Sequence, residues 1–370
     1  MAKAQSEDKG TRSMISQTIH VLRFPMLILI VLIHCNLSYK SHGSLGNHDI
    51  ANSIMYFISE CLCRGCVPLY FAISGYLFFQ GMVNFRWDFF THKWHKRTKT
   101  LLRPYILWNF IGFLVILLIH SNMLKSFFPG LPPVEVNFTY FLKCFWKVSD
   151  QYKFFEPAGS PADSTMWFLR DLMVLNLLSP LIYILLRYIG KIFIALVLLC
   201  FFCGIWVRIT SLSITGVLFY SIGAYVSLRK LKVLPAMLSW HFLPVITVLW
   251  CLFDTVAHTS MWYQQIHAMT ILLTFLTLIY CGGRYAISTR SSYIIGHPIL
   301  NQLGFFIFAM HYFITPETKT AIYRMILPQT DIGWILCYIL SMCALVGIPA
   351  LIFFILRKVS PVLINWMTGK

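Results

Sequence analysis

The chain is short of charge. Only 12% of its 370 residues are Asp, Glu, Lys or Arg, about half the share of a soluble globular domain. Length alone would permit about two soluble domains, but no polar stretch is long enough to host one. Acidic residues are the scarcest, 13 against 30 Lys and Arg, which leaves a net charge of +17. No internal repeat is visible, which argues against the inverted-repeat transporter architectures. The first apolar run has a basic lead, as a leader peptide would, yet it is too long, contains Arg23 and His34 and lacks an A-x-A site; it reads as a retained span. Zinc spacing is also missing. Cys61, Cys63 and Cys66 form C-x-C-x2-C, but no His or second Cys pair follows at ligand distance, so they read as buried thiols and no metal is expected.

What the chain has instead is apolar sequence, 58% of the total, gathered in blocks near the ~17–25 residues that cross a bilayer. The blocks fall near 17–38, 54–80, 104–120, 167–186, 190–207, 212–228, 238–256, 264–281, 301–315 and 332–356, with Pro104, Pro180, Pro235, Pro298 and Pro316 at or near their ends, where a helix tolerates Pro best. The expected fold is an all-α polytopic membrane protein of about ten transmembrane helices, a single domain over 1–370. Sorting the Lys and Arg between blocks puts 19 on one side and 8 on the other, with Arg23, Arg64 and Arg170 inside or at the edge of spans. By the positive-inside rule both termini are cytoplasmic. A soluble chain with this excess of cations would suggest nucleic acid; here the excess encodes topology, and the expected surroundings are membrane lipid. The longest connection, about 121–166, faces outward and is rich in aromatics, Pro and Gly, as binding loops often are.

Within the first span, Arg23 and His34 are eleven residues apart. Eleven steps of ~100° return to within about 20°, so both side chains share one face, roughly 16 Å apart along the axis. Ionisable groups are costly in a span and normally face protein or a wet cavity; snorkelling by Arg23 and packing by His34 are the bland alternatives. Lys93, Lys96, Arg97, Lys99 and Arg103 crowd the cytoplasmic mouth of the third span. Such a cluster suits phosphates or serves as a topology signal in contact with anionic lipid. Glu60 and Arg64 are spaced i, i+4, while Arg170 and Asp171 adjoin, so each pair can neutralise itself. Glu60 and Asp171 are expected to be the only carboxylates near the outer ends of spans that can orient a catalytic imidazole. His311 lies inside a late span near the outer face and reads as a packing residue or part of a site.

These features, in this order, resemble the acyltransferase-3 family along the whole chain. An Arg-x10-His signature is met by Arg23 and His34, and a VPLFFxISGFL-like block by Val67–Leu77. A WFL opening is met by Trp167, Phe168 and Leu169, followed by Pro180, and an SFxIYLxH-like block by Gly304–His311. Gly304 and Phe308 replace the usual Ser and Tyr, and the Arg-x-x-Arg before the third span reads Arg97-Thr98-Lys99-Thr100. The resemblance implies a bacterial inner-membrane O-acyltransferase that moves an acyl group, usually acetyl, from cytoplasmic acetyl-CoA to a hydroxyl of an extracytoplasmic or lipid-linked glycan. On that reading Arg23, Lys96, Arg97, Lys99 and Arg103 hold the acyl-CoA. His34 acts as general base or acyl carrier, with Glu60 or Asp171 orienting it. Trp167, Arg64, Arg170 and His311 face the acceptor, and Tyr140, Phe141, Tyr152 and Phe155 are offered for stacking on sugar rings. A secondary transporter or flippase, with His34, Glu60 and Asp171 as proton-relay groups, is the alternative.

Overall fold

In hydrocarbon no water satisfies a free backbone N–H or C=O, so apolar blocks close their hydrogen bonds within themselves as helices. A computed structural model describes residues 2–36, 49–121, 135–149, 154–155, 159–288 and 298–370, and these contain helices and no strand. The helices are α1 (Ala2–Cys35), α2 (Asp49–Tyr56), α3 (Cys66–Phe79), α4 (Trp87–Arg97), α5 (Arg103–His120), α6 (Phe138–Cys144), α7 (Trp167–Leu177), α8 (Ser179–Cys203), α9 (Ile214–Leu228), α10 (Val233–Met237), α11 (Leu243–Ala257), α12 (Tyr263–Ser288), α13 (Pro298–Ile326), α14 (Asp331–Val359) and α15 (Pro361–Met367). Among the described residues seven helical runs are long and apolar enough to cross a membrane: 14–35, 49–79, 87–120, 179–203, 263–288, 299–326 and 331–359. The apolar helices α9 and α11, 15 residues each, are about 22 Å long, short of a ~30 Å core.

Two spans are continued through π-helical turns. Phe57–Leu62 joins α2 towards α3, and Thr98–Leu102 joins α4 to α5. Each adds a residue to a turn and re-aims the helix beyond it, and such turns gather at functional sites. The first carries Glu60, and the second lies between Arg97 and Arg103.

The run 167–203 doubles back, as α9 shows when used as a ruler. Asp171 Oδ2 accepts from the Ser213 amide at 3.2 Å, Tyr220 donates to Asn176 Oδ1 at 3.0 Å, and Arg229 donates to the Arg187 carbonyl at 3.0 Å. The later residues return: Gly190 meets the Tyr225 ring, and Phe201 lies 5.9 Å from Phe219. The reversal is at Ile189, whose φ −126° and ψ 24° break the helix. Apolar blocks 167–186 and 190–207 are therefore separate limbs.

At the centre α3 and α9 touch backbone to backbone. A methyl on Gly75 would overlap the Tyr220 carbonyl, and one on Gly223 the Ala72 carbonyl; small residues permit this closeness. Pro316 departs from the expected block end. It lies inside α13, which runs on to Ile326, as membrane helices allow where neighbours satisfy the freed carbonyl. Gly304 sits close to the Leu27 and Phe24 side chains of α1, and a side chain there would displace the end of Leu27.

Candidate active site

The ends of α1 and α3, the π-turn of Glu60, the start of α12 and the segment before α7 enclose a cavity of about 350 Å³, within the usual range for small-molecule sites. His34, Glu60, Arg64 and Trp167 all line it, together with Tyr56, Tyr70, Phe155, Ser160, Tyr263, His267 and Phe308. Five of the candidate site residues named from sequence, His34, Glu60, Arg64, Trp167 and Phe155, thus share one chamber. The π-turn is pinned beside His34 by Ser59, which donates to the Leu32 carbonyl at 2.7 Å and pairs with the Tyr338 hydroxyl at 2.9 Å. Arg64 Nε donates to Glu60 Oε2 at 2.9 Å, so this carboxylate is committed to Arg64 while both face the cavity. The His34 ring is 5.1 Å from that of His311. His311 is fully buried, bonded through Nδ1 to the Ile307 carbonyl, with Nε2 unpartnered; it stands behind His34 and does not line the chamber.

Arg170 and Asp171 lie behind the wall. Arg170 donates to the Trp146 carbonyl, to the Gly159 carbonyl at 3.0 Å and to Asp171 Oδ1 at 3.4 Å, and the other Asp171 oxygen is taken by Ser213. The pair ties Trp146 and Gly159 to α7 and α9. Asp163 does likewise from the other side, since its amide reaches Asn109 of α5 at 3.0 Å and its carboxylate accepts from Thr165. Burial lifts the Asp163 carboxyl to about 8. Phe155 faces the chamber, Phe141 packs on Phe113 at 5.0 Å, and Tyr152 lies outside the described residues.

The basic end is the far end of the bundle. Tyr70, whose ring lines the cavity, donates to the Arg23 carbonyl at 2.6 Å, so Arg23 begins where the chamber floor ends. Arg97 turns inward, within electrostatic reach of Arg23 and of Tyr220. Tyr220 is bonded to Asn176, whose Nδ2 is buried without a partner. Lys96, Lys99 and Arg103 are exposed, with the Arg103 guanidinium 5.1 Å over the Trp366 ring. Among the described residues none of Lys96, Arg97, Lys99 and Arg103 pairs with a carboxylate. Asp88, the nearby acid, is tied to Arg86.

One constellation escaped sequence reasoning. Asp254 of α11 is fully buried and accepts from His267 Nδ1 at 2.9 Å, Thr270 at 2.6 Å, Tyr56 at 3.4 Å and Cys61 at 3.6 Å. This corrects the expectation that Glu60 and Asp171 are the only carboxylates placed to orient an imidazole. Its signal was an acid inside the apolar run LWCLFDTVAH, where a charge is costly. Cys61, Cys63 and Cys66 are buried thiols, and Cys61 serves this carboxylate.

An acyltransferase domain family matches residues 17–354. Among curated proteins the chain is similar to the succinoglycan biosynthesis protein ExoH of Rhizobium meliloti (strain 1021), 27% identical over 377 residues that cover 96% of this chain and 92% of the relative. No solved structure matches.

Proposed function

This chain belongs to the acyltransferase-3 family, a multi-pass membrane acyltransferase of glycans, and from that premise we propose that it carries an acetyl group from cytoplasmic acetyl-CoA to a hydroxyl of an extracytoplasmic or lipid-linked polysaccharide. The observation that carries this reading is the placement of Arg23 and His34 on α1. One is beside Arg97 at the unpaired basic end and the other is in the chamber, about 16 Å away along one helix. Phosphates favour cations that no carboxylate has neutralised. Tyr220 and the buried amide of Asn176 lie beside Arg97 to receive the polar part of such a donor. From there the thioester arm extends along α1 into a walled chamber that limits hydrolysis. The imidazole of His34 meets it as proton acceptor or acyl carrier, and Trp167 and Phe155 offer aromatic faces to the acceptor.

The topology that goes with this has ten spans, counting α7 with the first limb of α8 as one, the second limb as the next, and α9 and α11 as short spans. Both termini are in the cytoplasm, and the membrane is the bacterial cytoplasmic one. A polysaccharide acceptor is supported by the relative's place in succinoglycan biosynthesis. Arg170 and Asp171, behind the wall, shape the acceptor side by anchoring it, and His311 backs His34.

Two measurements test the reading. Membrane vesicles from the cell of origin, turned inside out and given radiolabelled acetyl-CoA, should incorporate label into the glycan fraction; no incorporation sinks acyl transfer from that donor. Single cysteines replacing Lys99 and Ser160 in a Cys-less background should react from opposite sides of the membrane. Labelling of both from one side overturns the topology.

A further inference from the structure

The chamber contains a second imidazole, and it is built differently from His34. His267 belongs to α12 and Asp254 to α11, so the turn between these helices brings them together. Nδ1 of His267 is committed to Asp254, and the ring stacks on Tyr263 at 5.2 Å and tilts against Phe155 at 5.6 Å. One tautomer and one ring orientation are thereby selected, with Nε2 left as the acceptor edge of a residue that lines the cavity. Burying a carboxylate costs several kcal/mol unless its lone pairs are filled, and four side chains from three helical segments are spent on filling those of Asp254. A purely structural post would be made more cheaply with apolar side chains. The His267 ring also touches the acceptor side: Phe155 belongs to the segment before α7, and Thr215 fixes that segment by donating to the Phe155 carbonyl at 2.8 Å.

We propose that Asp254 and His267 form a catalytic dyad that activates the acceptor hydroxyl, leaving His34, which shares a helix face with Arg23, to the donor thioester. This rests on the acyl-transfer reading above and divides its labour. His267 Nε2 takes the proton of the hydroxyl as the oxygen attacks the thioester carbonyl carbon. The C–S bond breaks, its electron pair leaves with sulfur as CoA thiolate, the thiolate takes a proton from solvent, and the His267 imidazolium releases its own proton to solvent, which restores the starting state. Asp254 is a positioning residue: it holds the Nδ1–H tautomer and stabilises the imidazolium that forms, as the carboxylate of a Ser-His-Asp triad does. The titratable neighbours of the dyad are Tyr56, Cys61, Tyr263 and the Glu60–Arg64 pair.

The test uses the same vesicles and radiolabelled acetyl-CoA, with the full-length chain purified in parallel for acetyl-CoA titration and thermal unfolding. His267→Gln should lower label transfer at least 100-fold, the range for loss of a general base, with the acetyl-CoA dissociation constant within twofold of wild type. Transfer within threefold of wild type by a stably folded His267→Gln overturns the dyad. Absence of transfer by wild type itself overturns the acyl-transfer reading instead. If His267→Gln loses both donor binding and its unfolding transition, Asp254→Asn decides. A drop in kcat of tenfold or more at unchanged KM for acetyl-CoA, with the acid limb of the rate profile moved to lower pH, supports the dyad. Unchanged kcat and limb refute it.

Discussion

The two ends of the bundle handle charge in opposite ways. At the cavity end three pairs of ionisable groups answer each other: Glu60 with Arg64, Asp254 with His267, Arg170 with Asp171. At the basic end Lys96, Arg97, Lys99 and Arg103 crowd within eight residues, and no described carboxylate answers them. Matched charge in a low-dielectric wall holds side chains in fixed positions and tunes proton transfer, whereas unmatched charge is an invitation to an anion that arrives and leaves. On the function proposed above, bond-making falls to one end and docking to the other, although each end taken alone reads as ordinary membrane-protein polarity.

The strongest way to break this comparison is at His34, which is exposed to the chamber and so carries little packing. His34→Ala should reduce acyl transfer at least 100-fold while expression and unfolding temperature stay near wild type. A variant that keeps more than about a tenth of the rate removes His34 from the chemistry and leaves the Asp254–His267 pair as the catalytic candidate at that end.

Asp163 sharpens the same side by pH. Its folded carboxyl, lifted to about 8 by burial, keeps a proton that the unfolded chain has already lost above the usual carboxylate range. Stability therefore falls as pH rises through that window, by up to about 1.4 kcal/mol per unit. In detergent, wild type should melt at progressively lower temperature between pH 5 and 8, and Asp163→Asn should lose most of that slope. Parallel slopes would show that Asp163 ionises without cost.

At the basic end, neutralising Arg23 or Arg97 should weaken acetyl-CoA binding about tenfold, as loss of a charge-assisted hydrogen bond does. Arg→Lys should restore it in part, since the charge remains and the planar fork does not. Calorimetric titration at fixed salt reads this directly, and unchanged affinity in both variants would return the cluster to a topology signal. Smallest are the exposed cations. Lys96→Gln or Lys99→Gln should cost about two- to threefold at low salt and almost nothing at high salt, where surface charge is screened. A salt-insensitive loss would mean that these side chains touch the donor closely.

The legible and illegible parts of the site divide by geometry. Arg23 and His34 lie on one α-helix, where ~100° per residue fixes who shares a face, and Glu60 and Arg64 are close enough in sequence to meet whatever the local winding. The partnership of Asp254 with His267 crosses from one helix to the next, and no periodicity reports it. Arg170 and Asp171 are adjacent in sequence, but the rotation of α7 relative to its neighbours decides whether they look into the chamber or away from it. The two π-turns, which aim Glu60 and the basic cluster, leave no compositional trace. The limbs of 167–203 are the reverse case: the gap between two apolar blocks falls where the backbone reverses, at Ile189.

The contact of α3 with α9 has a mechanical corollary. Two helices whose backbones abut at Gly75 and Gly223 have no cushion of side chains on which to slide or roll. They act as a welded strut through the middle of the protein. Machines that carry cargo across a bilayer by rocking one half against the other need a lubricated seam, and a weld there would jam them. A catalyst needs the opposite: a stationary frame through which small parts of the substrates travel while the walls stay still.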